Sequence, residues 1–188
     1  MRLLPIRTLF CVLILSALAL PSGLSAQQLI GPSKVIVAAE AGDLQALRRV
    51  IINHGNINSR DKLKRTPLMI AADNGDVDMV AYLIEERAHV GLVDKEGRSA
   101  LYHAVDKRSA EVVEMLLEAG AEVDVENQEG ETPLMRAAAL GDLDIVRLLL
   151  AAGPDLTRTD YTGRTALDHA REQRRSSVQK ALRQAGAR

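Results

Sequence analysis

The chain has 188 residues, of which 47% are hydrophobic and 26% are charged, and its formal net charge is −1 at pH 7. This composition predicts a folded protein with an aliphatic core and excludes the disordered class. The sequence has no basic excess and only three Tyr, one Phe and no Trp. We therefore expect neither the phosphate neutralisation nor the base stacking on which nucleic-acid binding depends.

The first 26 residues have the pattern of a secretory signal peptide. Arg2 and Arg7 form a positively charged start, and the apolar run of 12 residues from 9 to 20 precedes the helix-breaking Pro21. A membrane-spanning helix needs about 20 apolar residues, so we expect cleavage rather than a permanent anchor. The mature protein should then have no stable membrane span.

The expected cleavage site lies between Ala26 and Gln27, with a cut after Ser25 as the alternative, and residues 27–32 would form a flexible lead-in. The single cysteine, Cys11, lies in the removed peptide. The mature protein would thus lack thiols and depend on packing for its stability. The absence of Asn-x-Ser/Thr sites favours a bacterial periplasm over a eukaryotic extracellular space.

From position 33 onward the sequence repeats every 33 residues without an insertion. A fixed period of about 20–50 residues indicates a solenoid in which each unit packs on its neighbours. The units are 33–65, 66–98, 99–131, 132–164 and a shortened fifth unit, 165–188.

Each unit predicts the same order of elements. A Ser or Thr caps an alanine-rich first helix, a Gly-Asp pair or its equivalent ends this helix and caps a second, amphipathic one, and an extended strand and a turn follow. The caps of the first helices are Ser33, Thr66, Ser99, Thr132 and Thr165. Those of the second helices are Asp43, Asp76, Ser109 and Asp142.

The period, the order of elements and the motif TPL-x-x-AA-x-x-GD…V-x-x-LL-x-x-GA resemble ankyrin repeats. The resemblance covers residues 33–188 and implies an all-α repeat solenoid of about five repeats including caps. In this family, paired helices form the long arm of an L, and hairpin fingers project from it to form a concave binding face. Residues 165–188 are expected to be the C-terminal cap, because polar Ser176 and Arg183 replace leucines of the fourth unit.

The sequence departs from the family pattern in two respects. The histidine that usually follows TPL is missing, so the polar groups of the turns need other partners. Lys64 replaces the turn glycine of the first finger, and His54 and Arg87 replace glycines that close second helices. We expect these junctions to be the least regular.

No arrangement of residues predicts catalysis, a metal site or a cofactor site. His103 and His169 lie two repeats apart, which predicts a separation of roughly 20 Å between side chains that cannot share a metal ion. His54 and His89 lie at or near loop ends without Cys or carboxylate clusters at ligand spacing, and we interpret all four histidines as surface or turn residues. Nucleophile-elbow, phosphate-loop and dinucleotide motifs are also missing from the sequence. We therefore expect no enzymatic activity, no metal and no cofactor. The histidines are His54, His89, His103 and His169.

Positions without a structural role form the candidate protein-binding surface. In the ankyrin pattern these are the finger tips and the exposed side of the first helices. On the tips they are Lys62, Leu63, Arg65, Lys95, Glu96, Arg98, Gln128, Glu129, Tyr161 and Arg164. On the helices they are Asp73, Asn74, His103, Asp106, Lys107, Arg136 and Leu140. The alternative interpretation is that the tips are merely solvated and variable.

From the resemblance and the signal-peptide pattern together, we expect a monomeric, non-enzymatic periplasmic protein that binds another protein through a preformed concave surface. Inhibition, immunity against an exported toxin and stabilisation of a periplasmic enzyme are all compatible outcomes. The alternative is an accessory role in oxidative defence, supporting catalase or handling haem, as in some periplasmic ankyrin proteins to which this chain is similar. Tyr102 and His103 would then be the candidate haem residues.

Overall fold

The structure, a computed structural model, describes residues 33–188, so the predicted signal peptide, its cleavage site and the lead-in 27–32 lie outside the described residues. Within this range the chain forms ten α-helices, two in each unit. They are α1 (Lys34–Glu40), α2 (Leu44–Ile52), α3 (Pro67–Asn74), α4 (Val77–Glu85), α5 (Ala100–Lys107), α6 (Ala110–Glu118), α7 (Pro133–Leu140), α8 (Leu143–Ala151), α9 (Ala166–Glu172) and α10 (Ser176–Gln184).

The helices stack as the repeat predicts. Each first helix packs on the first helix of the next unit, and α4, α6 and α8 each pack on the following second helix. The predicted all-α repeat solenoid is therefore confirmed. None of the helices in 33–188 combines the length and the apolar character needed to cross a membrane.

The core follows two columns of the repeat. One alanine in each first helix is at most 5% exposed, and its small side chain lets adjacent units approach closely. One leucine in each later second helix is completely buried, and burying a leucine contributes about 1.5–3 kcal/mol. The alanines are Ala38, Ala71, Ala104, Ala137 and Ala170, and the leucines are Leu83, Leu116, Leu149 and Leu182.

Most of the predicted helix caps are present. The hydroxyls of the later first-helix caps accept hydrogen bonds from amides three residues on, for example Thr66 from Met69 at 3.3 Å. Two predictions are wrong in detail. Ser33 has no side-chain cap bond and instead donates to the Ser59 hydroxyl at 3.0 Å, while Ser109 occupies the cap position of α6 without a cap bond.

The junctions that lack the family's glycines keep the regular backbone. Lys64 and Arg87 have φ of 61° and His54 has φ of 64°, close to the left-handed φ of 79° and 83° at Gly97 and Gly120. The expected irregularity is therefore wrong. A side chain in this conformation costs about 1–2 kcal/mol, and the contacts of the surrounding repeat impose it.

The fingers are loops, contrary to the predicted extended strands. Within residues 33–188 their only β-type pairing is an isolated antiparallel bridge between Val93 and Ser99. A short loop of this kind has few backbone bonds of its own, so side chains and neighbouring fingers must satisfy its amides.

Candidate functional site

Backbone hydrogen bonds join the four finger tips into one row. Each bond runs from an amide of one finger to a carbonyl of the preceding finger, so the tips keep the spacing of the repeats. We call this row, together with the exposed sides of α3, α5 and α7, the finger face; its tips are 62–65, 95–98, 128–131 and 161–164. The bonds are Lys95 N to Leu63 O (2.8 Å), Gln128 N to Glu96 O (2.8 Å) and Tyr161 N to Glu129 O (3.0 Å).

One Asp or Asn side chain closes each finger. In the second finger, Asp94 Oδ1 accepts hydrogen bonds from the amides of Glu96 and Arg98 at 2.8 and 2.9 Å. A single side chain thereby satisfies two amides of the turn and holds its shape. Asp61, Asn127 and Asp160 bind the corresponding amides of their own fingers at 2.8–3.0 Å.

Arginine completes this arrangement in the first, second and fourth fingers. The second carboxylate oxygen of each aspartate pairs with the arginine four residues later, at 2.8 Å for Arg65, 3.1 Å for Arg98 and 3.0 Å for Arg164. These arginines are half-buried. The sequence placed them in the binding surface, but the structure shows that their guanidinium groups already bind within their fingers.

Two histidines also bind these aspartates, and they correct the interpretation of His103 and His169 as surface or turn residues. Both lie in first helices, are 3% and 8% exposed, and place Nε2 3.0 Å from Oδ2 of Asp94 and Asp160, respectively. An ionised carboxylate only accepts, so Nε2 must donate. His103 therefore buttresses the preceding finger and does not present a side chain to a partner.

The two turn aspartates are held in their charged form. Burial alone would raise the pKa of the Asp94 carboxyl, but the amides of Arg98 and Glu96 and the Arg98 guanidinium lower the pKa by more. The pKa of Asp160 also lies far below its usual range, because hydrogen bonds from Thr162 and Arg164 outweigh the effect of burial. Both carboxylates therefore accept hydrogen bonds at neutral pH.

The structure divides the predicted binding residues by exposure. Leu63 and Tyr161 are apolar groups that stand 46% and 75% exposed at opposite ends of the row. The other exposed members are Lys62, Asn74, Lys95, Glu96, Asp106, Lys107, Gln128 and Glu129. Arg65, Asp73, Arg98, Arg136, Leu140 and Arg164 are half-buried, and His103 is buried.

A cavity of about 290 Å³ opens on the finger face between the second and third fingers, α5 and α7. Its walls also contain Glu131, which belongs to the predicted third finger tip, and two residues that the sequence did not place in the binding surface, Tyr102 and Asn127. The aligned repeats contained a signal for Glu131, because this residue stands where the other three fingers carry arginine. The predicted residues that line the cavity are Glu96, Arg98, Asp106, Gln128, Glu129 and Arg136.

Tyr102 organises the acidic side of this cavity. Its hydroxyl is buried, donates to Glu131 Oε2 and accepts from Asn127 Nδ2 at 3.3 Å. Burial and the neighbouring Glu131 carboxylate raise the pKa of Tyr102 well above its usual range, so the hydroxyl keeps its proton and orients Glu131. The candidate haem residues Tyr102 and His103 are thus both buried, with polar atoms bonded inside the protein.

Among residues 33–188, no group of three or more His, Cys, Asp or Glu side chains could hold a metal ion. The sequence matches the family model for ankyrin repeats (3 copies) over residues 35–127 and 119–188. It matches none of the curated proteins.

Proposed function

Because this chain belongs to the ankyrin-repeat family, whose repeats are generally protein–protein interaction modules, we propose that it binds a partner protein through the finger face without catalysing a reaction. The partner would be a periplasmic protein, and binding would inhibit it, neutralise it as an immunity protein does, or stabilise it. The support for this proposal is the construction of the finger face.

The observation that carries the proposal is that the finger tips are held in place before any partner arrives. Backbone bonds connect consecutive fingers, and each turn is closed by a side chain that binds two amides. Association normally has to order loops and side chains, which lowers affinity. A preformed row avoids much of that loss.

Tyr161 is the strongest candidate anchor on this row. Its ring stands 75% exposed yet lies against the neighbouring finger, since a Cβ placed on Gly130 would be only 2.6 Å from Tyr161 Cδ1. A tyrosine held in this way offers a large contact area with little side-chain entropy to lose, and tyrosine is enriched at binding hot spots. Leu63 provides a second apolar contact on the first finger.

The periplasmic location rests on the N-terminal sequence pattern. Export, cleavage between Ala26 and Gln27, and a monomeric mature protein are parts of the proposal. The lone cysteine lies in the segment that would be removed, which suits an exported domain that needs no disulfide.

The test is crosslinking and capture from periplasm with three forms of the protein. We expect the parent to capture a discrete partner and the Leu63→Ser/Tyr161→Ser variant to lose at least about 30-fold in capture, because the loss of even one hot-spot contact of about 2 kcal/mol has this effect. An Arg147→Ser variant on the outer helix α8, whose side chain is 65% exposed, should capture as the parent does.

Circular dichroism should show equal helicity in the three forms. Undiminished capture by the double variant would move the binding site to another face and refute the proposal. The N-terminus of the recovered protein should be Gln27, or Ala26 for the alternative cut, and a start at Met1 would refute cleavage.

A further inference from the structure

The third finger breaks a pattern that the other three fingers share. Fingers one, two and four each place an arginine against the turn aspartate and a further acidic side chain. Arg98, for example, lies 3.1 Å from Asp94 and 3.0 Å from Glu96, and Arg164 lies 3.0 Å from Glu172. A guanidinium surrounded by carboxylates is therefore the usual content of this position.

In the third finger the same two columns hold Asn127 and Glu131. The finger itself thus supplies no cation, and the unit 99–131 carries nine acidic but only two basic residues. The two guanidinium groups in the cavity wall are already paired, Arg98 with Asp94 and Arg136 with Asp106. Within residues 33–188, Arg158 pairs with Glu126 beside this finger, whereas no Lys or Arg forms an ion pair with Glu129 or Glu131. Burial lowers the pKa of Arg136, but Asp106 raises this pKa by more, and the Glu131 carboxylate helps to raise it from a longer distance.

The Glu129 and Glu131 carboxylates are held in fixed positions by hydrogen bonds from neutral groups. Glu131 Oε2 accepts the Tyr102 hydroxyl, and Glu129 Oε2 accepts Asn127 Nδ2 at 3.1 Å. Each side chain is thereby oriented by one oxygen and keeps the other oxygen for a further donor. Two oriented carboxylates at the edge of one cavity form the arrangement that a guanidinium or ammonium group recognises.

We propose that this cavity receives an arginine or lysine side chain of the partner protein, which supplies the cation that an arginine of the chain itself supplies in the other fingers. Glu129 and Glu131 accept its hydrogen bonds, and the ring of Tyr161 beside Gly130 offers an aromatic surface near the same finger. The inference rests on the proposed function, because it names the chemistry of the partner's contact.

The test is an NMR titration with defined peptides. The protein is obtained by expressing the full chain and is labelled with ¹⁵N. The probe is acetyl-Gly-Arg-Gly-amide, with the lysine peptide as a second cation and the citrulline peptide as a neutral control of nearly the same shape. At constant ionic strength, both cationic peptides should produce saturable shifts of the backbone amides of 128–131 and of the Asn127 side-chain amide. The citrulline peptide should produce none.

The matched variants are Glu131→Gln and Glu129→Gln. Glutamine keeps an oxygen for the hydrogen bond from Tyr102 or Asn127, so the fold should persist while the charge is lost. Each variant should weaken binding of the arginine peptide about tenfold, as expected for a charge-assisted bond. Glu114→Gln, on the exposed side of α6, should leave the affinity unchanged.

Shifts that do not saturate, equal shifts with citrulline, or an equal loss in Glu114→Gln would overturn the inference, since general attraction to an acidic surface would explain them. Capture from periplasm distinguishes failure of the cationic contact from failure of the proposed function. A partner lost in Leu63→Ser/Tyr161→Ser but retained in Glu129→Gln/Glu131→Gln refutes only the cationic contact. A partner retained in the Leu63/Tyr161 variant refutes the proposed function.

Discussion

Replacing Asp94 by alanine should lower the free energy of unfolding by about 3–5 kcal/mol, the range measured when one member of a buried charged pair is removed. Its side chain is 1% exposed, and its two oxygens bind two turn amides, the Arg98 guanidinium and the His103 ring. Because the second finger lies in the middle of the row, the loss would also weaken the contacts between neighbouring units.

The magnitude follows from the groups that lose their partner. Hydrogen bonds to a charged group contribute about 1.5–3 kcal/mol each, and an unsatisfied buried group costs about 1–3 kcal/mol. His103 is buried and would bear this cost in full, whereas Arg98 is 26% exposed and can turn to water. Since these terms are not additive, we do not sum them and keep the range measured for breaking a buried charged pair.

Asp94→Asn separates the two roles of the carboxylate. The asparagine oxygen can still accept the two turn amides, as Asn127 does in the third finger. Its neutral amide group then faces Arg98 and His103, which lose the negative charge that Asp94 provides. We therefore expect a smaller loss of about 1–2 kcal/mol, equivalent to one charge-assisted bond.

The assay is urea unfolding followed by far-UV circular dichroism at pH 7, for the parent and the two Asp94 variants. The control is Asp144→Ala on α8, whose side chain is 82% exposed and pairs with Arg147 at 3.6 Å. An exposed pair in the first helical turn should contribute less than about 1 kcal/mol. The reasoning fails if Asp94→Ala is no more damaging than this control, or if Asp94→Asn is as damaging as Asp94→Ala.

Two further predictions concern pH and backbone strain. The fold lowers the pKa of Asp94 and Asp160, so the stabilisation they provide is complete above the ordinary aspartate pKa of about 4 and is lost as the pH falls below it. The urea midpoint of the parent should therefore drop between about pH 4 and pH 2. An equal drop in the Asp94→Asn/Asp160→Asn variant would contradict this cause. Arg87→Gly removes a side chain at φ 61° and should raise the free energy of unfolding by up to about 1 kcal/mol. The control Arg147→Gly, inside α8, should lower the free energy of unfolding by about 1 kcal/mol. A destabilised Arg87→Gly variant would show that the cost of placing a side chain in the left-handed conformation is overestimated.

The helices, their caps and the core could be predicted from the sequence because local preference and packing agree in every unit. A cap such as Thr132, the alanine column and the buried leucines each point to the same helix pair. When several independent signals select one structure, the fold is well specified. Replacing glycine with Lys64 or Arg87 did not disturb it, because the rest of each unit imposes the backbone.

The bonds inside the fingers were harder to predict. His103 contacts an aspartate nine residues earlier, across a finger and a helix start, and only the three-dimensional path of the chain brings them within 3.0 Å. The Asp–Arg pairs carried a sequence signal, because Asp94 and Arg98 recur at the same offset in two other fingers. That repetition indicates a structural role, as it does for the TPL motif.

Only some charges of the finger face are candidates for recognition. A side chain present in nearly every finger cannot distinguish one partner from another, and the structure shows that Arg98 and its counterparts bind within their own fingers. A side chain that is present in only one finger can distinguish between partners. Glu131 is the single acidic member of an arginine column, and a buried tyrosine hydroxyl fixes its orientation. Specificity in this solenoid should therefore reside where the third finger departs from the repeat, on a framework that the regular positions hold rigid.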